Sequence, residues 1–246
     1  MRLQESGMAG LALAEMATEE NGASVTAVAG VEFVCDPMGA LYAEADGLLV
    51  VSDLHLEKGA AFARRGQLLP PYDTYATLKI LARVMDRYRP KLVVSLGDNF
   101  HDRAGSALMP ADCRALIVEM ARGRDWVWIT GNHDPDGVTG LPGTVAESLA
   151  FAGLSFRHEP VKGAEKGEIA GHLHPAATLR RREKSVRRPC FATDGDRLIM
   201  PSFGVMTGGL DLAHAAFRGL FDRTRLIAHM IGKERVYPVS YLGLKG

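Results

Sequence analysis

Apolar and polar positions follow two different periods along this chain. Near-continuous apolar runs of strand length come first: VTAVAGVEFVC from Val25, then ALYAEADGLLVVS from Ala40, the second cut by the turn signal Ala45-Asp46-Gly47. Over residues 72–88 the period changes. Tyr75, Leu78, Leu81, Ala82 and Met85 recur at helical spacing, Asp73 suits an N-cap, and Arg87 and Arg89 suit a C-terminal turn before Pro90. KLVVSL then reads as a buried strand, residues 110–122 as a second helix and WVWIT as the next strand. This alternation predicts a mostly parallel sheet with helices on its faces. Beyond Gly140 only short strand-like runs follow, at 144–150, 154–158, 168–170, 186–192, 197–200 and 235–241, several joined by turn chemistry such as Thr193-Asp194-Gly195-Asp196. These runs predict a second sheet packed on the first. The expected fold is an α/β sandwich of two packed mixed sheets flanked by helices, one domain over residues 25–246. Residues 1–24 are expected to be a disordered tail or a short surface helix.

Four apolar runs end abruptly in residues able to bind metals. LLVVS leads to Asp53-Leu54-His55, KLVVSL to Gly97-Asp98-Asn99, WVWIT to Gly131-Asn132-His133-Asp134, and EIA to Gly171-His172-Leu173-His174. In α/β sheets ligands bind beyond the carboxyl ends of strands, so strands lying side by side would bring the four clusters to one rim. Taken singly each is ordinary: Asp-x-His is often a surface pair, and Gly-Asp-Asn often a turn. Their repetition after successive strands is what points to a shared site. Aspartate and histidine supply oxygen and nitrogen ligands, asparagine can add a carbonyl oxygen, and no cysteine takes part. A pair of divalent cations such as manganese, iron, zinc or cobalt fits this donor set better than a thiolate metal site does.

Composition narrows the picture a little. With 47% hydrophobic residues the chain can build a substantial core. Its 29 basic and 29 acidic residues cancel, which argues against wrapping long stretches of nucleic acid but leaves room for a few local phosphate contacts. Cys35, Cys113 and Cys190 are far apart and form no CxxC pair, so neither a zinc ribbon nor a disulfide framework is expected, and a reducing compartment is. No run approaches the roughly 20 apolar residues of a membrane span, and the start of the chain lacks a signal-peptide pattern. A cytoplasmic protein with no membrane partner is expected.

The order Asp-x-His, Gly-Asp, Gly-Asn-His-Asp, a later isolated His and Gly-His-x-His resembles the calcineurin-like metallophosphoesterases. That resemblance implies that Asp53, His55 and His174 hold one metal, that Asn132, His172 and His158 hold the other, and that Asp98 bridges them. It further implies in-line attack on phosphorus by a hydroxide shared between two cations about 3.5–4 Å apart. His133 would stabilise or protonate the leaving group, with Asp134 orienting its ring. His101 competes with His158 for the isolated-ligand position; it and Asp102 otherwise suit supporting or substrate-facing roles. Asn132, Lys58, Arg64 and Arg65 are candidates for reaching phosphate. So is the basic run Arg180-Arg181-Arg182-Glu183-Lys184, continued by Arg187-Arg188, although either group could instead lie on a solvated surface.

A narrower resemblance spans residues 47–212. LLVVSDLHLEKGAAFARRGQLLPPYDTYATL, SLGDNFHD, ITGNHDP, FRHEPV, GEIAGHLHPAA, RRPCFATDG and LIMPSFGVMTGGLDL are similar to the bacterial ligase-associated DNA damage response endonucleases of the PdeM type. Ser202 and Met206 stand where those proteins often carry Ala and Tyr. The resemblance implies a manganese-dependent DNA phosphodiesterase working with a DNA ligase and other repair enzymes. Two alternatives stay open: a phosphatase or phosphodiesterase of a small nucleotide or metabolite, and a non-catalytic protein-binding scaffold. No residue of the proposed ligand set is missing, which weighs against the scaffold.

Overall fold

The computed structural model describes residues 22–67, 72–163 and 165–245. The expected tail lies outside the described residues up to position 21. Two of the apolar runs read as strands are hairpins. The first splits into β1 (Ser24–Val28) and β2 (Val31–Cys35). Val28 pairs with Val31, so Ala29 and Gly30 alone make the turn, both at positive φ as a primed two-residue turn requires. The second gives β3 (Leu41–Ala43) and β4 (Leu48–Val51) around the expected turn.

From β4 the chain crosses over α1 (Lys58–Arg64) and α2 (Asp73–Tyr88) to β5 (Leu92–Leu96), then over α3 (Gly105–Leu108) and α4 (Ala111–Met120) to β6 (Asp125–Ile129). Asp73 is the first residue of α2, not its N-cap. Its carboxylate instead accepts the Lys58 and Gly59 amides at 2.9 and 3.2 Å, satisfying the first turn of α1. The run at 144–150 belongs to both sheets. β7 (Thr144–Ala146) pairs parallel with β6, and β8 (Ser148–Phe151) pairs with β9 (Leu154–Arg157) in the second sheet.

The first sheet runs in order β1 to β7, with β4, β5, β6 and β7 parallel. The second contains β10 (Glu168–Ala170), β11 (Pro175–Arg181), β12 (Lys184–Thr193), β13 (Arg197–Ile199) and β14 (Leu210–Asp211). Its order is β14-β11-β12-β13-β10-β9-β8, with β15 (Ile227–Ile231) on β12 and β16 (Val236–Ser240) on β15.

Three apolar layers hold the sandwich. Leu49 and Val51 face α2 and α4 with Trp126 and Trp128, while Leu48 and Val50 face Phe156, Ile169 and Phe191 across the inter-sheet core. Both faces of β4 are therefore covered, which is why LLVV carries no polar alternation. The outer face of the second sheet lies under Leu212, Phe217, Leu220 and Tyr241, carried by loops and short 3-10 turns. Cys35, Cys113 and Cys190 are buried free thiols in these layers. Among the described residues no helix is long and apolar enough to cross a membrane.

Candidate metal centre

Parallel pairing puts the carboxyl ends of β4, β5 and β6 on one rim, and the parallel pair β9 and β10 brings two more ends to it. The loops after β4 and β5 are stitched together by their backbones: the Asp53 amide donates to the Gly97 carbonyl at 3.2 Å, and the His55 amide to the Asp98 carbonyl at 2.9 Å. Close approach of the other loops depends on missing side chains. A Cβ on Gly171 would run into Ser52 Oγ and Asp53 Oδ2, and one on Gly131 into the Asp98 amide. Ten described non-glycine residues have positive φ, and five of them are Asp53, His55, Asp98, His172 and His174. Local backbone strain is thus concentrated where the ligand candidates are aimed.

Three groups of potential ligands result among the described residues. Asp53, His55 and His174 form one triad of the expected ligands, Asp98, His158 and His172 the other, and His55 also meets His101 and His133, with the ligand atoms of each group within 4.8 Å of one another. His174 Nε2 lies 2.9 Å from Asp53 Oδ1 without hydrogen-bond alignment. His158 Nε2 is 3.4 Å from Asp98 Oδ1, 3.0 Å from Asn132 Oδ1 and 3.1 Å from His172 Nδ1. Asp98 also faces the first triad, its Oδ2 lying 3.9 Å from His55 Nε2. Asn132, His158, Asp98, His55, Asp53, His172 and His174 are therefore brought together on one rim.

Supporting bonds aim these groups. Ser52 Oγ donates to Asp53 Oδ2, as does the His172 amide at 3.1 Å, which leaves Oδ1 free on the site side. His158 Nδ1 sits 2.8 Å from the Leu96 carbonyl and His174 Nδ1 3.0 Å from the Gly208 carbonyl. A backbone acceptor on Nδ1 fixes a proton there and turns Nε2 towards the site, the arrangement that orients metal-binding histidines. The remaining buried atoms fit a cation too. Among the described residues, Asp53 Oδ1, His174 Nε2 and both ring nitrogens of His55 have no hydrogen-bond partner. An unpaired buried polar group is expensive unless something else satisfies it.

Electrostatics favour positive charge at this rim. Burial acts to raise the Asp98 carboxyl, yet hydrogen bonding and charge from His158 and the His133 amide hold it down at about 2. Burial likewise opposes ionisation of Asp53, but His174, His158 and Ser52 keep it below its ordinary value. His158 is lifted to about 9 against its burial by Asp98 and Asp53. His55, where burial outweighs the same carboxylates, falls to about 3 and is a neutral imidazole at pH 7.

His133 is half-exposed, its side chain 37% exposed against 4% for Asp98, and Asn132 before it is exposed too. Its Nδ1 meets the His101 carbonyl at 3.0 Å, and its Nε2 points towards Asp98 Oδ2 at 3.9 Å. Asp134 does not orient this ring. It is buried and accepts from the Asn99 amide and side chain at 2.9 Å and from the Gly131 amide at 3.0 Å, so it ties the β5 loop to the β6 loop. His101 stacks on His133 with ring centroids 5.1 Å apart and an interplanar angle of 27°, backed by Phe62. Arg64 is held by Asp102 at 2.6 Å. Arg65 is exposed and close enough to His101 to lower its pKa, a smaller effect than burial and His133.

The supporting roles of several residues have no signal in the sequence. Ser52 and Asn99 serve the site through bonds to Asp53 and Asp134. Ser202 Oγ donates to the Asp53 carbonyl at 2.8 Å, and Lys58 Nζ to the Met206 carbonyl at 2.8 Å. Thr207-Gly208-Gly209, legible only as a turn or a close approach, packs on the His174 loop.

A rim of this kind defines a metal-dependent hydrolase. A family model described as calcineurin-like phosphoesterase matches residues 48–217, which take in every ligand candidate. The chain belongs to that family and is a hydrolase acting on phosphoesters. The structure is similar to the crystal structure of nuclease MPE from Pseudomonas putida, with a TM-score of 0.66 and 26% identity over 88% of this chain and 100% of that one. A weaker likeness, TM-score 0.39 and 17% identity over 79% of this chain and 98% of the other, is to Yfce, a phosphoesterase from E. coli. No curated protein matches the chain.

Proposed function

We propose that this phosphoesterase is a phosphodiesterase of DNA that works with two divalent cations. Asp53, His55 and His174 would hold one, Asn132, His158 and His172 the other, with Asp98 shared. The observation that carries the reading is the meeting of two ligand triads at Asp98, whose oxygens face His55 on one side and His158 on the other. Bound there, manganese, or iron, zinc or cobalt, would polarise a phosphoryl oxygen and activate a water.

The chain's own groups do the rest. With Nδ1–H donating to the His101 carbonyl, His133 presents Nε2 to the substrate, and in the doubly protonated ring Nε2–H can hand its proton to the departing oxygen. Asp134 and Asn99 keep the two loops in register. Arg65 is exposed beside His101, while Arg64 is engaged by Asp102. The likeness to a nuclease over that protein's whole length supports a nucleic acid as substrate, and the resemblance to ligase-associated DNA endonucleases favours DNA. The resemblance to ligase-associated endonucleases supports a cytoplasmic place beside a DNA ligase in repair.

The test is manganese-dependent hydrolysis of a chromogenic phosphodiester and of single-stranded and nicked DNA, by the wild type and His133→Ala. Cleavage of both substrate types, lost in the variant, is expected. Cleavage of the small ester alone would move the substrate to a small nucleotide or metabolite, and inactivity with every metal would overturn the reading.

A further inference from the structure

The chain has no net charge, yet positions 180–188 hold six cations and a single carboxylate. The rest of the molecule is consequently net acidic. In the structure this segment is the hairpin of β11 and β12, and every residue from Arg180 to Pro189 is exposed. Its register opposes Arg181 to Lys184, Thr178 to Arg187 and Ala177 to Arg188. Directly opposed residues share a face, and faces alternate along a strand. Arg181, Lys184 and Arg188 therefore lie on one face, Arg180 and Arg187 on the other, and Arg182 at the tip.

Three features separate this hairpin from an ordinary solvated one. Like charges directly opposed across a ladder are destabilising, and Arg181 faces Lys184. Arg182 takes a left-handed φ of 54° in a two-residue turn, where glycine or asparagine would be less strained. None of the six cations has a carboxylate within ion-pair distance among the described residues, whereas Arg64 holds Asp102, Arg103 holds Asp136 and Arg225 holds Asp196. The arm carries uncompensated positive charge that a polyanion would relieve.

Its root is fastened to the metal centre. β11 begins at Pro175, the residue after His174, and pairs there with Leu210 of β14. The Arg187 guanidinium donates to the Gly209 carbonyl, next to the Gly208 carbonyl that receives His174 Nδ1. At about 3.3 Å per residue, a seven-residue strand is about 23 Å long, enough to reach several backbone phosphates beyond the rim. We infer that the β11–β12 hairpin is a nucleic-acid arm that holds the phosphodiester backbone flanking the scissile phosphate, along a line that starts at His174. This inference rests on the nuclease reading of the metal centre.

The experiment compares the wild type with a variant carrying Arg180→Gln, Arg181→Gln, Arg182→Gln and Lys184→Gln. It reads kcat/KM for single-stranded DNA relative to that for bis(p-nitrophenyl) phosphate, which is too small to span rim and hairpin. DNA binding by fluorescence anisotropy is measured across a salt series, and thermal melting checks that the variant is folded. The expected result is a fall of tenfold or more in the DNA-to-ester ratio, with the slope of log affinity against log salt reduced by about 3, the loss of four single-strand phosphate contacts. An unchanged ratio and slope, with DNA still cleaved, would overturn the arm and leave the nuclease reading standing; the charge would then serve another partner, such as an acidic protein. Hairpin-dependent binding without cleavage would keep the arm and remove the nuclease. A wild type that neither binds nor cuts DNA would overturn both.

Discussion

The Nδ1 atom of His133 lies 3.0 Å from the carbonyl oxygen of His101, so a backbone group rather than the neighbouring Asp134 sets the direction of this ring. The two histidines should therefore separate under mutation. His133→Ala is expected to lower kcat on a chromogenic diester by about 10²–10⁴-fold, the range of a lost general acid. His101→Ala keeps the carbonyl and should cost at least about tenfold less by the same measure. Equal losses would instead give the His101 imidazole a direct part in the chemistry.

Asp98 faces both triads, whereas Asn132 stands beside only one, next to His158. Isothermal titration with manganese should give two sites in the wild type. Asp98→Ala should weaken both, and Asn132→Ala only one. Two undisturbed sites in the Asp98 variant would show that this carboxylate is not shared.

Gly171 is closed in by Ser52 and Asp53, while a Cβ on Gly208 would meet nothing within 4 Å. Gly171→Ala should abolish manganese binding and destabilise the fold by about 1–3 kcal/mol, the usual range for overpacking. Gly208→Ala should leave urea stability within about 0.5 kcal/mol of the wild type. The two denaturation curves decide it; similar shifts would mean that the β10 loop adapts freely.

His229, on β15 and buried beside Ser24 of β1, gives a pH signature. Burial lowers its pKa from 6.5 to about 4, and its Nδ1 meets Ser24 Oγ at 2.9 Å. Since the folded pKa is depressed, the unfolded chain binds this proton first. The stability it contributes is complete above pH 6.5 and is lost as pH falls towards about 4, on the order of 3 kcal/mol in all. His229→Gln should flatten that part of the stability profile, measured by urea unfolding from pH 7.5 to 4.5. A variant with the same slope as the wild type would place the acid sensitivity elsewhere.

Much of the rim was legible because its ligands follow apolar runs such as KLVVSL, and parallel pairing carries strand ends to one side. His158 could be placed too, as the isolated histidine at the end of β9. What escaped depends on partners distant in sequence. Asp73 looks like the cap of its own helix but satisfies α1, and Asp134 looks like the partner of His133 but holds Asn99. The Ala29–Gly30 turn lacks an Asn-Gly or Asp-Gly signal, so two strands read as one. Only Glu147 separates β7 from β8, and no periodicity says that the chain changes sheet there. β15 was hidden because its histidine finds its partner Ser24 from 205 positions away.

The most direct test of the proposed centre is anomalous diffraction at the manganese absorption edge from crystals grown with manganese. Two peaks are expected on the rim: one among Asp53, His55 and His174, the other among Asn132, His158 and His172, with Asp98 between them. A rim without peaks, or manganese bound only elsewhere on the molecule, would contradict a two-metal phosphoesterase centre built from these residues.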